Sequence, residues 1–358
     1  MSKKKYLPAV LAGILVLAVL LEFGVQRSRR NTKYTDTTFV MDTVVTQSVW
    51  GPHAEAAMTE AARALADIEA KLSLYSDTSE VAAINAAAGV QAVPVSPLTL
   101  DMLDAALTLS ARSEGYFQIT VAPLSRLWNI MGEDPTVPAQ AEIDAALALI
   151  DDTALTLDAQ ASTVQLAAAG QALDLGGIAK GYSCDVLRQL YLDAGVQHAL
   201  TSIGGNIVAV GGNVDGSPFR IGFRDPKGGV SSYIASFLVS DGVVAVSGAY
   251  ERYFEQDGVI YHHILDPHTG YPAQSDIVSV GVVWPAEGAG ENPGASADHW
   301  STTLFCWGRD KTLEWMKSST AGVLLLDDAG TLYVSASLRE GFRAETAGLE
   351  VVFVEENK

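Results

Sequence analysis

The chain predicts an α+β fold, with mixed, largely antiparallel sheets and flanking helices. Runs of β-branched residues bounded by Gly, Pro and Asp recur through its second half, the mark of short strands. Alanine-rich stretches with apolar residues three and four apart dominate the first half, the mark of amphipathic helices. The two kinds come in clumps and not in strict alternation, which disfavours a parallel βαβ sheet. With 358 residues, 48% of them hydrophobic and 18% charged, the chain has ample material for a globular core. A formal net charge of -19 argues against a nucleic-acid surface, which needs clustered Lys and Arg. Cys184 and Cys306 are too few for a disulfide scaffold or a cysteine-based zinc site. Both are expected as free buried thiols, a pairing staying open if the body lies outside the cytoplasm.

Taken in order, Lys3–Lys5 precede an apolar run from about residue 6 to 25, which reads as an uncleaved signal anchor. Basic residues flank it on both sides, so charge does not orient it. Residues 27–37 read as a polar linker, placing the body at 38–358. Thr38–Trp50 reads as a strand and His53–Leu72 as a helix with Ala57, Ala61, Leu65, Ile68 and Leu72 inward. Thr78 or Ser79 suits a helix cap before Val81. Pro97–Ser113 reads as a helix, Tyr116–Gln118 and its continuation as a short strand stopped at Pro123, and Ala141–Ile150 as a helix.

Val164–Leu175, broken at Gly170, approaches as a strand and Lys180–Ala194 departs as a helix. Between them lies Asp174-Leu-Gly-Gly-Ile-Ala-Lys-Gly181. Glycines at such a junction admit a bulky ligand to the backbone, and the helix start offers free N–H groups to an anion. A bland surface turn would carry the same residues, and the spacing fits neither common nucleotide-binding motif. Short strands follow at 198–212, Phe219–Asp225, Tyr233–Val239, Val243–Ser247, Val259–Leu265 and Ile277–Trp284, with Pro285–Ala297 as a loop. A helix from Ala297 sets Asp298, Ser301 and Thr302 on one face. A further helix over Thr312–Ser318, a hairpin of Val323–Leu326 with Leu332–Ser335, and a strand over Leu349–Val354 complete the chain.

Carboxylate and hydroxyl oxygens form a hard donor set suited to Mg²⁺, which binds together with substrate phosphates. Asp298 and Ser301 at a helix start would equally serve as a cap. Of the adjacent His262 and His263, one in a strand points inward and the other outward.

These residues carry a resemblance. Met41-Asp42-Thr43, Leu74-Tyr75 with Ser79-Glu80 and Asn85, Phe117–Leu124 with Trp128, Asp174–Gly181, Gly204-Gly205-Asn206, Ser247-Gly248, His263–Gly270, and Asp298 with Ser301-Thr302 follow one another as in the ApbE-type FAD:protein FMN transferases. The chain resembles that family from about Phe39 to Phe353. The resemblance implies an ApbE-like α+β domain and Mg²⁺-dependent transfer of FMN from FAD to a Thr or Ser hydroxyl of a target flavoprotein, releasing AMP. It implies targets in Rnf-type or sodium-pumping NADH:quinone reductase complexes, on the extracytoplasmic face of the membrane. Carried over by motif, Met41, Tyr75, Tyr116, Phe117, Gln118, Asp174, Lys180 and Leu265 line the FAD site. By the same carry-over, the resemblance implies that Gly177, through its carbonyl, would hold the metal with Asp298, Ser301 and Thr302.

His263 is the candidate proton acceptor by type and motif position. Gln118 stands where the family usually has Asp, His268 where Arg is frequent, and Ser301 where some members have Asp. Two rivals stay open: an FAD pyrophosphatase yielding FMN and AMP, and a flavin-binding protein without turnover.

Overall fold

The computed structural model describes residues 31–229, 231–286 and 292–357. The expected anchor helix falls outside them. Among the described residues, no helix is long and apolar enough to cross a membrane.

The body begins earlier than the sequence suggests, inside the expected linker. β1 (Lys33–Val40) and β2 (Thr43–Trp50) pair antiparallel from Lys33 opposite Trp50 to Val40 opposite Thr43. Thr38–Trp50 is therefore a hairpin and not one strand. Its turn residues Met41 and Asp42 both take positive φ, 56° and 55°, as two-residue hairpin turns require. The Asn-Gly or Asp-Gly signal that usually announces such a turn is absent. α1 (Ala54–Leu72) buries the expected stripe of Ala57, Ala61, Leu65, Ile68 and Leu72. α2 (Glu80–Ala86) starts at Ser79, whose Oγ accepts the Ala82 N–H at 2.9 Å. β3 (Val93–Pro94), α3 (Pro97–Ser110), α4 (Ala122–Trp128), α5 (Gln140–Leu147), β4 (Leu155–Asp158) and β5 (Thr163–Leu166) follow.

Two further expectations need correction here. Among the described residues, the strand expected from Tyr116 forms a single bridge, Val121 with Ala172. Its Phe117 and Ile119 are buried by the core instead of by a ladder, and Pro123 sits in the first turn of α4, where a missing N–H costs nothing. The strand expected over Val164–Leu175 stops at Leu166, and residues 167–178 run as turns and loop to α6 (Ala179–Asp193).

Beyond α6 come β6 (His198–Ile203), β7 (Asn206–Val210), β8 (Phe219–Arg224), β9 (Tyr233–Val239), β10 (Gly242–Gly248), β11 (Tyr253–Gln256), β12 (Val259–His262) and β13 (Ile277–Pro285). Then follow α7 (Pro293–Trp307), α8 (Arg309–Met316), β14 (Gly322–Asp327), β15 (Thr331–Ser335), β16 (Arg343–Ala344) and β17 (Glu350–Val354). Among the described residues the main sheet runs β1-β2-β6-β7-β10-β13-β14-β15-β17, antiparallel throughout except for β15 with β17. Period-two alternation gives it two buried faces. Val243 and Ala245 of β10 join Leu65, Leu187 and Leu304 of α1, α6 and α7 on one face. Val244 joins Phe223 and Phe237 of the smaller β8–β9–β16 sheet on the other. A separate apolar cluster of Leu103, Phe117, Ile119, Leu173 and Ile178 backs the double-glycine turn. The α+β class with largely antiparallel sheets is thus borne out.

Candidate active site

The double-glycine turn is held from behind by backbone and side-chain bonds. Asn85 accepts the Leu173 N–H at 2.6 Å and donates to the Leu173 carbonyl at 3.1 Å. The Asp174 N–H donates to the Ile119 carbonyl at 2.8 Å, and the Asp174 carboxylate accepts the Gly176 N–H at 2.9 Å. A Cβ on Gly177 would lie 3.0 Å from the Phe117 ring, which in turn meets the His299 ring edge-on with centroids 4.8 Å apart. Phe117 is therefore wedged between the turn and α7.

The turn and α7 meet. The Gly181 N–H, an unpaired donor of the first turn of α6, donates to Asp298 Oδ2 at 2.9 Å. Lys180 Nζ lies 4.0 Å from the same oxygen and donates to the Gly176 carbonyl at 3.4 Å. Asp298 is 4% exposed, so its charge is shielded from bulk water and depends on these partners. Ser301 Oγ donates to the Asp298 carbonyl at 2.9 Å. It also lies 2.8 Å from Ser247 Oγ on β10, which is 3.4 Å from Thr302 Oγ1.

The helix carrying these groups begins at Pro293 and not at Ala297, so Asp298 sits in its second turn and cannot be its cap. Capping falls to Asp185 of α6, whose two carboxylate oxygens accept the Gly294 and Ala295 N–H groups at 2.6 and 2.8 Å. Burial, opposed by those two bonds and by Arg188, pushes the Asp185 carboxyl up to about 7. Among the described residues, no three His, Cys, Asp or Glu side chains cluster as a metal site. A cation held here would have one carboxylate, hydroxyls and a carbonyl from protein. That set fits Mg²⁺ with its waters and substrate phosphates, and does not fit zinc.

The rim is built from several elements. Met41, strained at positive φ, is tied by its N–H to Glu69 at 2.9 Å and by its sulfur to the Ser183 hydroxyl at 3.4 Å. Arg252 Nη2 lies 3.4 Å from Asp42 Oδ2, joining the β1–β2 turn to the β11–β12 hairpin. Tyr75 is 87% exposed; nearby protein bulk first, then the Asp174 charge, raise its phenol, with Arg252 opposing.

His263 follows β12, its N–H and Nδ1 both on the Arg252 carbonyl, at 3.0 and 3.2 Å. Surrounding chain, then the Arg252, Lys180 and His262 charges, lower its imidazole to about 4, against its bond to that carbonyl. Water reaching this exposed residue works against that shift. His262 is the inward member of the pair, on the Ala273 carbonyl at 3.1 Å.

The Tyr116 ring lies against the His268 ring, tilted by 51° with centroids 4.3 Å apart. Gln118 turns to the Asp152 N–H, 3.0 Å away, and Leu265 packs in the Trp128 cluster. The structure thus gathers Phe117, Asp174, Gly177, Lys180, Asp298, Ser301 and Thr302 through direct contacts or one intermediate, with His263 within charge range of Lys180. The contacts of Gln118 and Leu265 are with other neighbours.

Residues 41–325 match the ApbE family. The chain belongs to the ApbE family. It is 38% identical to the FAD:protein FMN transferase of Treponema pallidum over 72% of this chain and 73% of that protein. It is 35% identical to one from Klebsiella pneumoniae over 72% and 78%. In three dimensions it resembles the crystal structure of the ApbE protein from Thermotoga maritima, with a TM-score of 0.79, 31% identity, and coverage of 87% of this chain and all of that one. A histidine-to-glycine variant of the flavin transferase ApbE from Vibrio cholerae gives 0.75 at 28% identity, covering 87% and 99%. The family and the transferase class expected from the motifs are both borne out.

Sequence reasoning passed over Asp185, His299 and Arg252 within this ApbE site. His299 and Arg252 leave no local pattern, since each acts across a long gap in the chain. Asp185 does leave one, taken up below.

Proposed function

We propose that this ApbE-family chain transfers FMN from FAD to a Thr or Ser hydroxyl of a target flavoprotein, releasing AMP. The observation that carries the reading is the junction of Lys180 and Gly181 with Asp298. A cationic side chain, a first-turn amide and a buried carboxylate converge where a pyrophosphate would need charge neutralisation. Phosphoryl transfer is governed by positioning and electrostatics more than by covalent help. Mg²⁺, held by Asp298, Thr302, Ser301 and the Gly177 carbonyl, would supply Lewis-acid neutralisation of the phosphate oxygens.

Lys180 orients the pyrophosphate by its charge. Met41, Tyr75, Tyr116 and Phe117 bound the flavin, while Asp174, Gln118 and Leu265 complete the wall through their loops. The acceptor hydroxyl oxygen attacks the FMN-side phosphorus; its bond to phosphorus forms as the bond to the AMP oxygen breaks. The hydroxyl proton passes to His263, whose ring is neutral near pH 7.

The acceptor class is the flavin-carrying subunit of Rnf-type or sodium-pumping NADH:quinone reductase complexes. The place of action is the extracytoplasmic membrane face, with residues 6–25 as anchor. Support for these two points is the family resemblance and the apolar N-terminal sequence.

The test is to incubate the protein with FAD, Mg²⁺ and a co-expressed acceptor, following AMP by chromatography and covalent FMN by mass spectrometry. Both products are expected, and Asp298→Ala should lose both by at least about 100-fold. AMP without covalent FMN would make the chain a pyrophosphatase; FAD binding without AMP would leave only a flavin carrier.

A further inference from the structure

The two helices that meet at the site carry the same short pattern. Gly181 and Asp185 stand four apart in α6, and Gly294 and Asp298 stand four apart in α7. The glycines touch: a Cβ on Gly181 would lie 2.2 Å from the Gly294 carbonyl, and a Cβ on Gly294 would lie 2.2 Å from the Gly181 carbonyl. Each aspartate then caps the other helix. Asp298 accepts the Gly181 N–H at 2.9 Å, and Asp185 accepts the Gly294 N–H at 2.6 Å and the Ala295 N–H at 2.8 Å. The exchange satisfies first-turn donors of both helices, which would otherwise be buried without partners. Asn292, which precedes α7, makes no side-chain cap of its own.

The reciprocity is unequal in one respect. Asp185 spends both oxygens on N–H groups, whereas Asp298 spends Oδ2 and has no hydrogen bond on Oδ1 among the described residues. One aspartate of the pair has both oxygens engaged and the other keeps one without a hydrogen bond among the described residues. Asp185 fixes where α7 starts, and Asp298 lies one helical turn beyond that start.

We propose that Asp185 is a positioning residue that locks α7 against α6 so that the spare oxygen of Asp298 is presented to a divalent cation. This rests on the reading of Asp298 as a cation ligand. Outer partners that orient a ligand typically change metal affinity 10–100-fold.

Asp185→Asn is nearly isosteric and keeps one acceptor oxygen, and Asp185→Ser keeps one acceptor on a shorter arm. Three quantities are measured on the full chain: Mn²⁺ affinity by electron paramagnetic resonance, FAD affinity without metal by fluorescence, and amide exchange over residues 293–300. Either variant that folds should bind Mn²⁺ about 10-fold more weakly than wild type. It should bind FAD within about twofold of wild type and exchange the 293–300 amides faster, a split that general destabilisation would not produce. Wild-type Mn²⁺ affinity in a folded variant overturns the assignment of Asp185 alone. Wild-type protein that binds no Mn²⁺ overturns the cation reading together with it, and failure of both variants to fold marks Asp185 as a folding determinant and ends the positioning claim.

Discussion

His299 lies fully buried one residue beyond Asp298, with Nε2 3.3 Å from the Thr303 hydroxyl and Nδ1 lacking a partner among the described residues. Burial first, then the Arg112 charge, lowers its imidazole to about 3. The folded state therefore holds a neutral ring, while the unfolded chain takes up a proton below its ordinary value of about 6.5. The contribution of this group to stability is present above about 6.5 and is lost as pH falls toward 3. His299→Phe should flatten the fall in urea-measured stability between pH 6.5 and 4, and an unchanged slope would contradict the buried neutral ring. His263 carries a different expectation. His263→Ala should keep FAD binding while losing covalent transfer at least about 100-fold, measured by quenching of flavin fluorescence and by acceptor mass. Unimpaired transfer would remove His263 from the chemistry.

At the scale of elements, the α6–α7 contact tolerates no side chain. Gly181→Ala would drive a methyl to 2.2 Å from the Gly294 carbonyl and 2.6 Å from Asp298 Cβ, and the nearest atom is backbone. A loss of about 3 kcal/mol in urea denaturation is expected, with loss of activity at temperatures where the protein stays folded. This contact also marks the limit of what the sequence discloses. Helices with a clean 3–4 stripe, such as α1, were legible because burial follows the period. The Tyr116–Val121 segment was not, because its aromatic and β-branched residues satisfy a helix-backed core with no ladder. The start of α7 was hidden for another reason: its cap, Asp185, lies more than a hundred residues upstream. Within the site, Asp298, Lys180 and the double glycine stood out by residue type. Gln118 was legible as a motif position, yet its amide serves the Asp152 backbone, a role that depends on tertiary packing.

Among the described residues the main sheet, buried on both faces, ends in a parallel strand. β17 covers the outer edge of β15, with Phe353 edge-on to Phe342 and beneath Arg339. Ending the chain at Gly348 would uncover that edge and its apolar face. A fall in Tm of roughly 5–10 °C, corresponding to a few kcal/mol, is expected by calorimetry, with aggregation on heating. An unchanged Tm would mean that β17 adds little. The β11–β12 hairpin is a two-stranded sheet of its own, packed on the Trp128 cluster. It stacks Tyr261 on Trp128 and Phe254 on Tyr261, reaches the β1–β2 turn through Arg252 and Asp42, and leads directly into His263. If His263 is the proton acceptor and Asp298 a cation ligand, as proposed, a chimera bearing a relative's segment 249–270 would alter the former and leave the latter in place, because His263 follows β12 while Asp298 belongs to α7.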